Sequence, residues 1–387
     1  MGNKSKKFST KCVHEGEIKD TMYQGIVSPL FMSTTYPWFG GDDPEKKPYP
    51  RYFNTPNQEF LSKKIASLEN GEKALIFTSG MAAISTSIMA NVKTGDHIVV
   101  QNDIYGGTRN FVLTEFDKFG IEYSFTDGLD PLNFSNQIKD NTVGIYLETP
   151  SNPLLKIVDL KSVSSIAKNN GVWTMIDNTF SSPVNQNPID HGIDIVLHSA
   201  TKYLGGHSDI SAGAVISTES RIEQILNSAK NFGGNLSDYT VWLLERSIKT
   251  LHIRVKEQTN NAKTLAKMLD ENTNISKVYY PGLESHPSHE IAKSQMNDFG
   301  GMMSFDLNNN VDVYDFLKSL NLVKPGMSLA GVETTVNFPM KTSHGLMTQK
   351  ERDIQGIGDK LIRLSVGIES YEDIYEDLDQ AIKSSIK

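Results

Sequence analysis

Three short polar segments, each directly after an apolar run, hold residue types suited to chemistry. They are Ser79-Gly80-Met81, Asp177-Asn178-Thr179 and Ser199-Ala200-Thr201-Lys202. A helix that begins with glycine offers free backbone N–H groups, and its dipole favours an anion such as a phosphate. A carboxylate at a buried strand end needs a cation or several hydrogen-bond donors beside it. A lysine after a buried strand is partly desolvated, which favours the neutral, nucleophilic amine.

Together these segments predict a pyridoxal phosphate site. That cofactor needs an anion site for its phosphate, an acid facing its pyridine nitrogen and a lysine for its aldehyde. Asp177 and Lys202 supply the last two, and the hydroxyls of Ser199 and Thr201 suit phosphate oxygens. Tyr105 follows another apolar run, where its ring could stack on the pyridine ring. Taken singly, each residue has an ordinary alternative as a helix cap, a hydrogen-bond hub or a packing residue.

The elements that position these residues alternate along the chain from residue 74 onwards. Continuous apolar runs, typical of strands covered on both faces, occupy 74–79, 97–101, 143–148, 172–177, 194–199 and 212–217. Helical stretches at 80–92, 105–118 and 159–170 separate them. This succession predicts an α/β fold with a mainly parallel sheet, in which ligands bind at the carboxyl ends of the strands.

The chain divides into three predicted parts. Residues 1–56 form an irregular arm, too polar to pack on its own domain. Residues 57–253 form the cofactor-binding domain, which ends within a helix-rich stretch, and residues 254–387 form a smaller C-terminal domain. The last part combines strand candidates near 276–281, 301–307 and 361–368 with helices near 311–320 and 371–385.

Composition excludes several classes of protein. The 387 residues carry a net charge of −8, which argues against a nucleic-acid binder. No apolar run approaches the roughly 18 residues of a membrane span. The only cysteine is Cys12, so neither an intrachain disulfide nor a cysteine-based zinc site is expected. The basic start, MGNKSKKF, has no apolar stretch behind it, which favours a cytoplasmic protein over a secreted one.

Other ligand motifs are weak. Gly356-Ile357-Gly358 lacks the third glycine and the preceding strand of a dinucleotide site. His286 and His289 lie three residues apart without an acidic cluster, so we interpret them as surface histidines and predict no metal site.

Longer motifs resemble the Cys/Met-metabolism pyridoxal phosphate enzymes. The resemblance runs from about residue 9 to 382 and is carried by ETPSNP (148–153), DNTF (177–180), HSATKYLGGHSD (198–209), YPGLESHP (280–287) and LIRLSVGIE (361–369). This family includes cystathionine γ-synthase, the cystathionine γ- and β-lyases, methionine γ-lyase and the O-acylhomoserine sulfhydrylases. The resemblance implies the aspartate aminotransferase-like fold, called fold type I, with pyridoxal 5′-phosphate as cofactor.

The resemblance also assigns roles in cofactor binding. Lys202 matches the Schiff-base lysine, and Asp177, with Thr179 beside it, matches the acid paired with the pyridine nitrogen. Tyr105 matches the stacking tyrosine. The phosphate ligands match the backbone donors Gly80 and Met81 and the hydroxyl donors Ser199 and Thr201.

The remaining matches concern the substrate and a second subunit. Arg363 matches the arginine that binds the substrate α-carboxylate, with Asn152 and Ser328 as helpers. Tyr49 and Arg51 match a Tyr-x-Arg pair that reaches the phosphate of a neighbouring subunit. This implies a dimer with shared active sites, which the family usually pairs into a homotetramer, a dimer of dimers.

One departure bears on substrate choice. The family's cystathionine γ enzymes usually read Glu-Ser-Leu-Gly-Gly where this chain has Met327-Ser328-Leu329-Ala330-Gly331. Met327 cannot bind the distal amino group of cystathionine as an acid would. Either no residue binds that group, or Glu333 or the N-terminal arm binds it. We expect a carbon–sulfur lyase acting on cystathionine or a related sulfur amino acid by α,γ- or α,β-elimination. The alternatives are a γ-replacement transferase and a cofactor-binding protein without turnover.

Overall fold

The computed structural model describes residues 6–38, 47–345 and 347–387. Two sheets organise this part of the chain, one of seven strands and one of five. The strands of the larger sheet are β1 (Lys73–Phe77), β2 (His97–Gln101), β3 (Glu122–Thr126), β4 (Thr142–Glu148), β5 (Trp173–Asp177), β6 (Ile195–His198) and β7 (Gly213–Ser217).

The larger sheet has the order β1-β7-β6-β5-β4-β2-β3. The pairs from β6 to β3 are parallel, and β7 runs antiparallel to both β1 and β6. The predicted mainly parallel sheet is therefore confirmed, and all six predicted strands are present. Strand β3 was not predicted, because it is an edge strand whose polar residues, such as Glu122 and Ser124, interrupt any apolar run.

Helices cover both faces of this sheet. They are α1 (Phe8–His14), α2 (Pro56–Leu68), α3 (Gly80–Ala90), α4 (Gly106–Phe119), α5 (Pro131–Asn136), α6 (Leu160–Asn169), α7 (Ser182–Asn185), α8 (Glu219–Phe232), α9 (Asp238–Ile248) and α10 (Leu251–Asp270). Local signals set their ends: the Thr55 side chain caps α2 in a capping box, and Gly120 ends α4 with a φ of +65°. Separate apolar clusters fill the space on the two faces.

The C-terminal part confirms the predicted smaller α+β region. Its sheet has the order β10-β11-β12-β9-β8 and is antiparallel except for the β10–β11 pair. The strands are β8 (Ile275–Tyr279), β9 (Met302–Leu307), β10 (Lys324–Pro325), β11 (Thr335–Asn337) and β12 (Leu361–Ser365). The helices are α11 (His289–Gln295), α12 (Val313–Ser319), α13 (Gln349–Gln355) and α14 (Tyr371–Ser384).

The predicted boundary near residue 253 falls within α10. The first part of this helix, with Leu251 and Val255, packs into the core of the larger sheet. Its second part, with Leu265 and Leu269, packs into the core of the smaller sheet. The two parts of the chain therefore share one continuous helix.

The prediction that residues 1–56 are too polar to pack on their own domain is wrong for helix α1, whose Cys12 side chain lies in the core beneath the larger sheet. The buried Lys64 Nζ donates hydrogen bonds to the carbonyl oxygens of Cys12 and Val13 in this helix at 3.0 and 3.2 Å. Lys64 also forms a buried ion pair of 3.1 Å with Glu245. The hydrogen bonds from Lys64 hold α1 against the domain. They join residues far apart in the sequence, so no local sequence pattern predicts them.

Candidate active site

The carboxyl ends of the central strands open into a cavity of about 220 Å³. Ten residues predicted for the site line it: Gly80, Met81, Tyr105, Asn152, Asp177, Thr179, Ser199, Thr201, Lys202 and Arg363. They come from both parts of the chain, because Arg363 lies in β12 whereas the others lie at or after the ends of strands in the larger sheet.

One end of the cavity suits a phosphate. The Ser79 side chain accepts a hydrogen bond from the Ala82 amide at 3.0 Å and so caps α3. The amides of Gly80 and Met81 have no intrahelical acceptor, because these two residues begin the helix. A Cβ on Gly80 would lie 2.8 Å from the Ser199 Cβ, so only glycine allows this close approach. The glycine thus brings the start of α3 against the Ser199 hydroxyl group.

Thr179 and Thr201 hold the strand ends around that pocket. The Ser199 amide donates to Thr179 Oγ1 at 2.8 Å. Thr201 Oγ1 lies 3.1 Å from the carbonyl oxygen of Ala212, to which it donates, and 2.9 Å from the Ala212 amide. These bonds tie the segments after β5 and β6 to each other and to the residue before β7.

Asp177 is the last residue of β5 and is buried. Burial raises the pKa of its carboxyl group, while hydrogen bonds from Thr179 and the positive charges of His198 and Lys202 oppose that rise. The Thr179 amide donates to Asp177 Oδ1 at 3.0 Å. A cation beside this carboxylate would favour its ionised form.

Lys202 follows β6, and its Nζ atom donates to Ser328 Oγ at 2.8 Å. Burial lowers the pKa of this amine to about 8, and the nearby Arg363 guanidinium acts in the same direction. Asp177 opposes the shift. A sizeable fraction of the amine is therefore neutral near pH 8.

Arg363 is fully enclosed and directs its guanidinium at the cavity. Its Nη1 atom donates to Asn152 Oδ1 at 2.9 Å. Its buried Nε atom has no hydrogen-bond partner within the described chain. A buried guanidinium with unused donors is suited to a carboxylate ligand.

Tyr105 precedes α4 and is partly exposed at the cavity. A Cβ on Gly107 would come within 2.5 Å of Tyr105 Cε1, so the phenol ring lies directly beside the Gly107 backbone. A larger residue at 107 would displace the ring.

Three predicted site residues lie outside the cavity lining. Ser328 contacts the site through Lys202. Tyr49 and Arg51 lie elsewhere: the Arg51 Nη1 atom donates to the Lys230 carbonyl oxygen at 2.7 Å, and its guanidinium lies 5.7 Å from the Tyr49 ring centroid. Within one chain these two residues do not contribute to this cavity.

Several other residues line the cavity that were not predicted as site residues, among them Glu148, Phe180 and Ser343. Glu148 ends an apolar run as Asp177 does, and that signal could have found it. Ser343 carried no such signal, because it reaches the cavity from a distant loop that packs on the start of α4, where its carbonyl oxygen abuts Gly106. Met327, noted for its departure from the motif, also lines the cavity and is 78% exposed.

Within the described residues, no group of three or more His, Cys, Asp or Glu side chains is arranged to hold a metal ion. The interpretation of both histidines as surface residues is wrong for His286, which is buried because it packs between the turns at 280–289. His286 Nδ1 accepts from the Ser288 amide at 3.2 Å, and His289 Nδ1 donates to the Pro281 carbonyl oxygen at 2.8 Å. No helix over the same residues is long and apolar enough to cross a membrane.

The residues present fit pyridoxal phosphate. The cavity combines a glycine-dependent anion pocket at Gly80, a buried carboxylate at Asp177 and a partly neutral amine at Lys202. The Arg363 guanidinium, which lines the cavity, adds a position for the carboxylate of an amino acid.

Comparisons with known proteins agree with this geometry. A cystathionine beta-lyase of Lactococcus lactis subsp. cremoris is 42% identical over 97% of this chain and 99% of its own length. The crystal structure of a cystathionine gamma-lyase from Lactobacillus plantarum complexed with L-serine matches with a TM-score of 0.94 and 36% identity, covering 98% of this chain and 99% of that one. A cystathionine gamma synthase from Xanthomonas oryzae pv. oryzae matches with a TM-score of 0.95 and 35% identity over 99% of both chains.

The family model described as Cys/Met metabolism PLP-dependent enzyme matches residues 9–383. Nearly the whole chain, including every residue of the cavity, lies within this match. The chain therefore belongs to the Cys/Met-metabolism enzymes that depend on pyridoxal phosphate.

Proposed function

We propose that this chain is a carbon–sulfur lyase of sulfur amino acid metabolism, acting on cystathionine or a related substrate. The observation that carries this proposal is the placement of Lys202 in one cavity with Asp177 and Arg363. An amine, an acid and a carboxylate-binding guanidinium are the groups needed to remove the α-proton of an amino acid.

The cofactor would be held from three sides. The Gly80 and Met81 amides, with the Ser199 and Thr201 hydroxyl groups, would bind its phosphate. Asp177 would pair with the pyridine nitrogen, Lys202 would bind the aldehyde, and the Tyr105 ring would stack on the pyridine ring. When bound, pyridoxal phosphate withdraws electrons from the substrate α-carbon.

The side chains of the protein would then orient the substrate and move protons. Arg363, held by Asn152, would bind the α-carboxylate in a bidentate contact. Lys202 Nζ, once free, would take the α-proton, and its hydrogen bond to Ser328 would aim the amine. Lys202 and the Tyr105 hydroxyl group would assist departure of the sulfur group.

A γ-replacement transferase is the second candidate, with cystathionine γ-synthase or O-acylhomoserine sulfhydrylase activity. It is favoured by the structural match to a cystathionine gamma synthase, whose TM-score of 0.95 is as high as that of the lyase match. Both reactions use the same first proton transfer and differ in whether water or a thiol completes turnover. A protein that only binds the cofactor would not need a carboxylate-binding residue such as Arg363 beside Lys202 and Asp177, so the presence of all three disfavours that alternative.

Product analysis separates these functions. With cystathionine, α,β-elimination releases homocysteine, pyruvate and ammonia, whereas α,γ-elimination releases cysteine, 2-oxobutanoate and ammonia. With an O-acylhomoserine and cysteine, replacement yields cystathionine and the carboxylic acid of the acyl group, without a keto acid. If keto acid forms from cystathionine faster than replacement forms cystathionine, the lyase is supported. If only replacement occurs, the protein is the transferase. Lys202→Ala is the control for both.

We also propose a homotetramer, a dimer of dimers, with active sites shared between subunits. The N-terminal segment exposes large apolar side chains, with Met22, Tyr23 and Ile26 exposed by 78%, 84% and 95%. A second copy of the chain would cover them and bring Tyr49 and Arg51 to a neighbouring cavity. Light scattering on the purified protein measures the assembly. A cytoplasmic location stays a prediction.

A further inference from the structure

Glu148 is a buried carboxylate at the cavity that the proposed function leaves without a role. It is the last residue of β4 and pairs in register with Asp177, the last residue of β5. Because neighbouring parallel strands in register direct paired side chains to the same face of the sheet, both acids line the same cavity.

The two oxygens of Glu148 contact two different loops. Oε2 accepts a hydrogen bond from the Tyr105 amide at 2.7 Å, and Oε1 accepts one from the Asn152 amide at 3.2 Å. Tyr105 ends the loop after β2, whereas Asn152 lies in the segment after β4. One side chain therefore links two loops that supply neighbouring parts of the site.

The Glu148 backbone is itself held in place. Its amide donates to Gln101 Oε1 at 3.0 Å, from the end of the adjacent strand β2. The Gln101 side chain also donates from Nε2 to the Asp103 carbonyl oxygen at 3.3 Å. The carboxylate thus projects from an anchored strand end rather than from a mobile loop.

A carboxylate in this position is energetically unfavourable. Burial, and then the negative charge of Asp177, raise the pKa of Glu148, whereas the Tyr105 and Asn152 amides oppose that rise. Within the described chain, no lysine, arginine or histidine nitrogen lies within 4.0 Å of Glu148 as an ion-pair partner. Its direct hydrogen bonds are therefore those from the two amides, and the Arg363 guanidinium, whose pKa the Glu148 charge raises, acts on it without a direct ion pair. The two direct bonds point to a positioning role.

We propose that Glu148 is a positioning residue that sets the Tyr105 ring and the Asn152 carboxamide together, and through Asn152 the guanidinium of Arg363. The proposal rests on the proposed function for the roles of Tyr105 and Arg363. The contacts that carry it are independent of which sulfur amino acid is the substrate.

Glu148→Gln is the sharpest test, because glutamine keeps the shape but has one acceptor oxygen for two amides. We expect that oxygen to remain on the Tyr105 amide, whose bond is shorter, and the side-chain NH₂ to face the Asn152 amide. In the cofactor-free protein, hydrogen–deuterium exchange at the Asn152 amide should then become about tenfold faster, with the Tyr105 amide little changed. In the loaded enzyme, KM should rise about tenfold and kcat should change less, because the carboxylate-binding Arg363 is misplaced.

Asp377→Asn is the matched control. Asp377 is also a buried carboxylate that accepts backbone amides, those of Asn321, Leu322 and Val323 at 2.8–3.2 Å, but it lies in the smaller domain away from the cavity. Its replacement should speed exchange at 321–323 and leave exchange at Asn152 and KM unchanged.

Two results would overturn the proposal. One is unchanged exchange at both Tyr105 and Asn152 in Glu148→Gln. The other is faster exchange throughout the protein with a lowered melting temperature, which would mean a general structural role. If the protein turns over no sulfur amino acid, the exchange results still decide the positioning role, so failure of the proposed function is recognised separately.

Discussion

Lys202 Nζ donates a hydrogen bond of 2.8 Å to Ser328 Oγ, and this bond joins the two parts of the chain. Lys202 follows strand β6 of the larger sheet, whereas Ser328 precedes β11 of the smaller one. A second hydrogen bond, 2.9 Å long, also joins the two parts, but its donor, Arg363 Nη1, belongs to the smaller sheet and its acceptor, Asn152 Oδ1, follows β4 of the larger one. The position of the reactive amine therefore depends on how the two parts pack together.

The reactivity of Lys202 should depend on pH. Burial lowers the pKa of the amine to about 8, so the amine is mostly protonated below that pH and mostly neutral above it. Only the neutral amine attacks an aldehyde. The rate at which cofactor-free protein combines with pyridoxal phosphate should therefore rise through a midpoint near pH 8, as measured by borohydride trapping and intact-mass analysis.

Variants that remove a charge near Lys202 should move the pH midpoint of its reaction with the cofactor. Because the Arg363 guanidinium helps lower the pKa of Lys202, Arg363→Met should move the midpoint to higher pH. Asp177→Asn should move it lower, since Asp177 favours the protonated amine. Lys202→Ala should form no trapped adduct at this position. A midpoint at the ordinary lysine value near 10.4, unmoved by Arg363→Met, would contradict the assignment.

Gly80→Ala should weaken cofactor binding without unfolding the protein. The added Cβ would lie 2.8 Å from the Ser199 Cβ, so the start of α3 or Ser199 must shift and the phosphate pocket must change shape. We expect the affinity for pyridoxal phosphate to fall about tenfold, or ~1.4 kcal/mol, measured by equilibrium titration of cofactor-free protein.

Gly358→Ala is the control for that measurement, because a Cβ there would meet nothing within 4 Å. It should bind the cofactor with wild-type affinity. Wild-type affinity in Gly80→Ala as well would mean that the phosphate binds elsewhere.

The sequence could predict the strand-end residues because their signals are local. Asp177 and Lys202 each follow a continuous apolar run, and a parallel sheet brings such positions to one edge. Glu148 also ends a continuous apolar run, but it was not predicted as a site residue because no neighbouring residue indicated a role for it.

Other features depend on contacts that no local pattern encodes. Ser343 reaches the cavity because its loop packs on Gly106, far away in sequence. Helix α1 is held by the Lys64 side chain, which donates to the Cys12 and Val13 carbonyl oxygens. Edge strand β3 carries too few apolar residues to produce a run. In each case tertiary contacts, and not the local sequence, determine the structure.

Arg51 should act on the active site of a neighbouring subunit. Within its own chain, Arg51 donates to the Lys230 carbonyl oxygen and does not line the cavity. Arg51→Ala and Lys202→Ala should each be inactive alone, but mixed subunits should recover activity, because one site of a hybrid dimer then has both residues intact. Activity of hybrids purified with two affinity tags measures this. No recovery in confirmed hybrids would contradict sharing.

Met327 should determine tolerance for the distal end of the substrate. It lines the cavity and is 78% exposed, so its side chain meets whatever extends beyond the substrate α-carbon. Its thioether is apolar and flexible and cannot pair with a second ammonium group. Wild type should therefore turn over methionine, homocysteine or an O-acylhomoserine at rates comparable to cystathionine.

Met327→Glu should raise kcat/KM for cystathionine relative to those substrates. A charge-assisted hydrogen bond contributes ~1.5–3 kcal/mol, which corresponds to about ten- to a hundredfold in discrimination. Met327→Gln is the control, since it adds length and polarity without charge and should give a much smaller change. The alternative reader of the distal group, Glu333, is exposed and does not line the cavity. If wild type already prefers cystathionine a hundredfold and Met327→Glu leaves that ratio unchanged, another residue or the N-terminal arm of a neighbouring subunit reads the distal group.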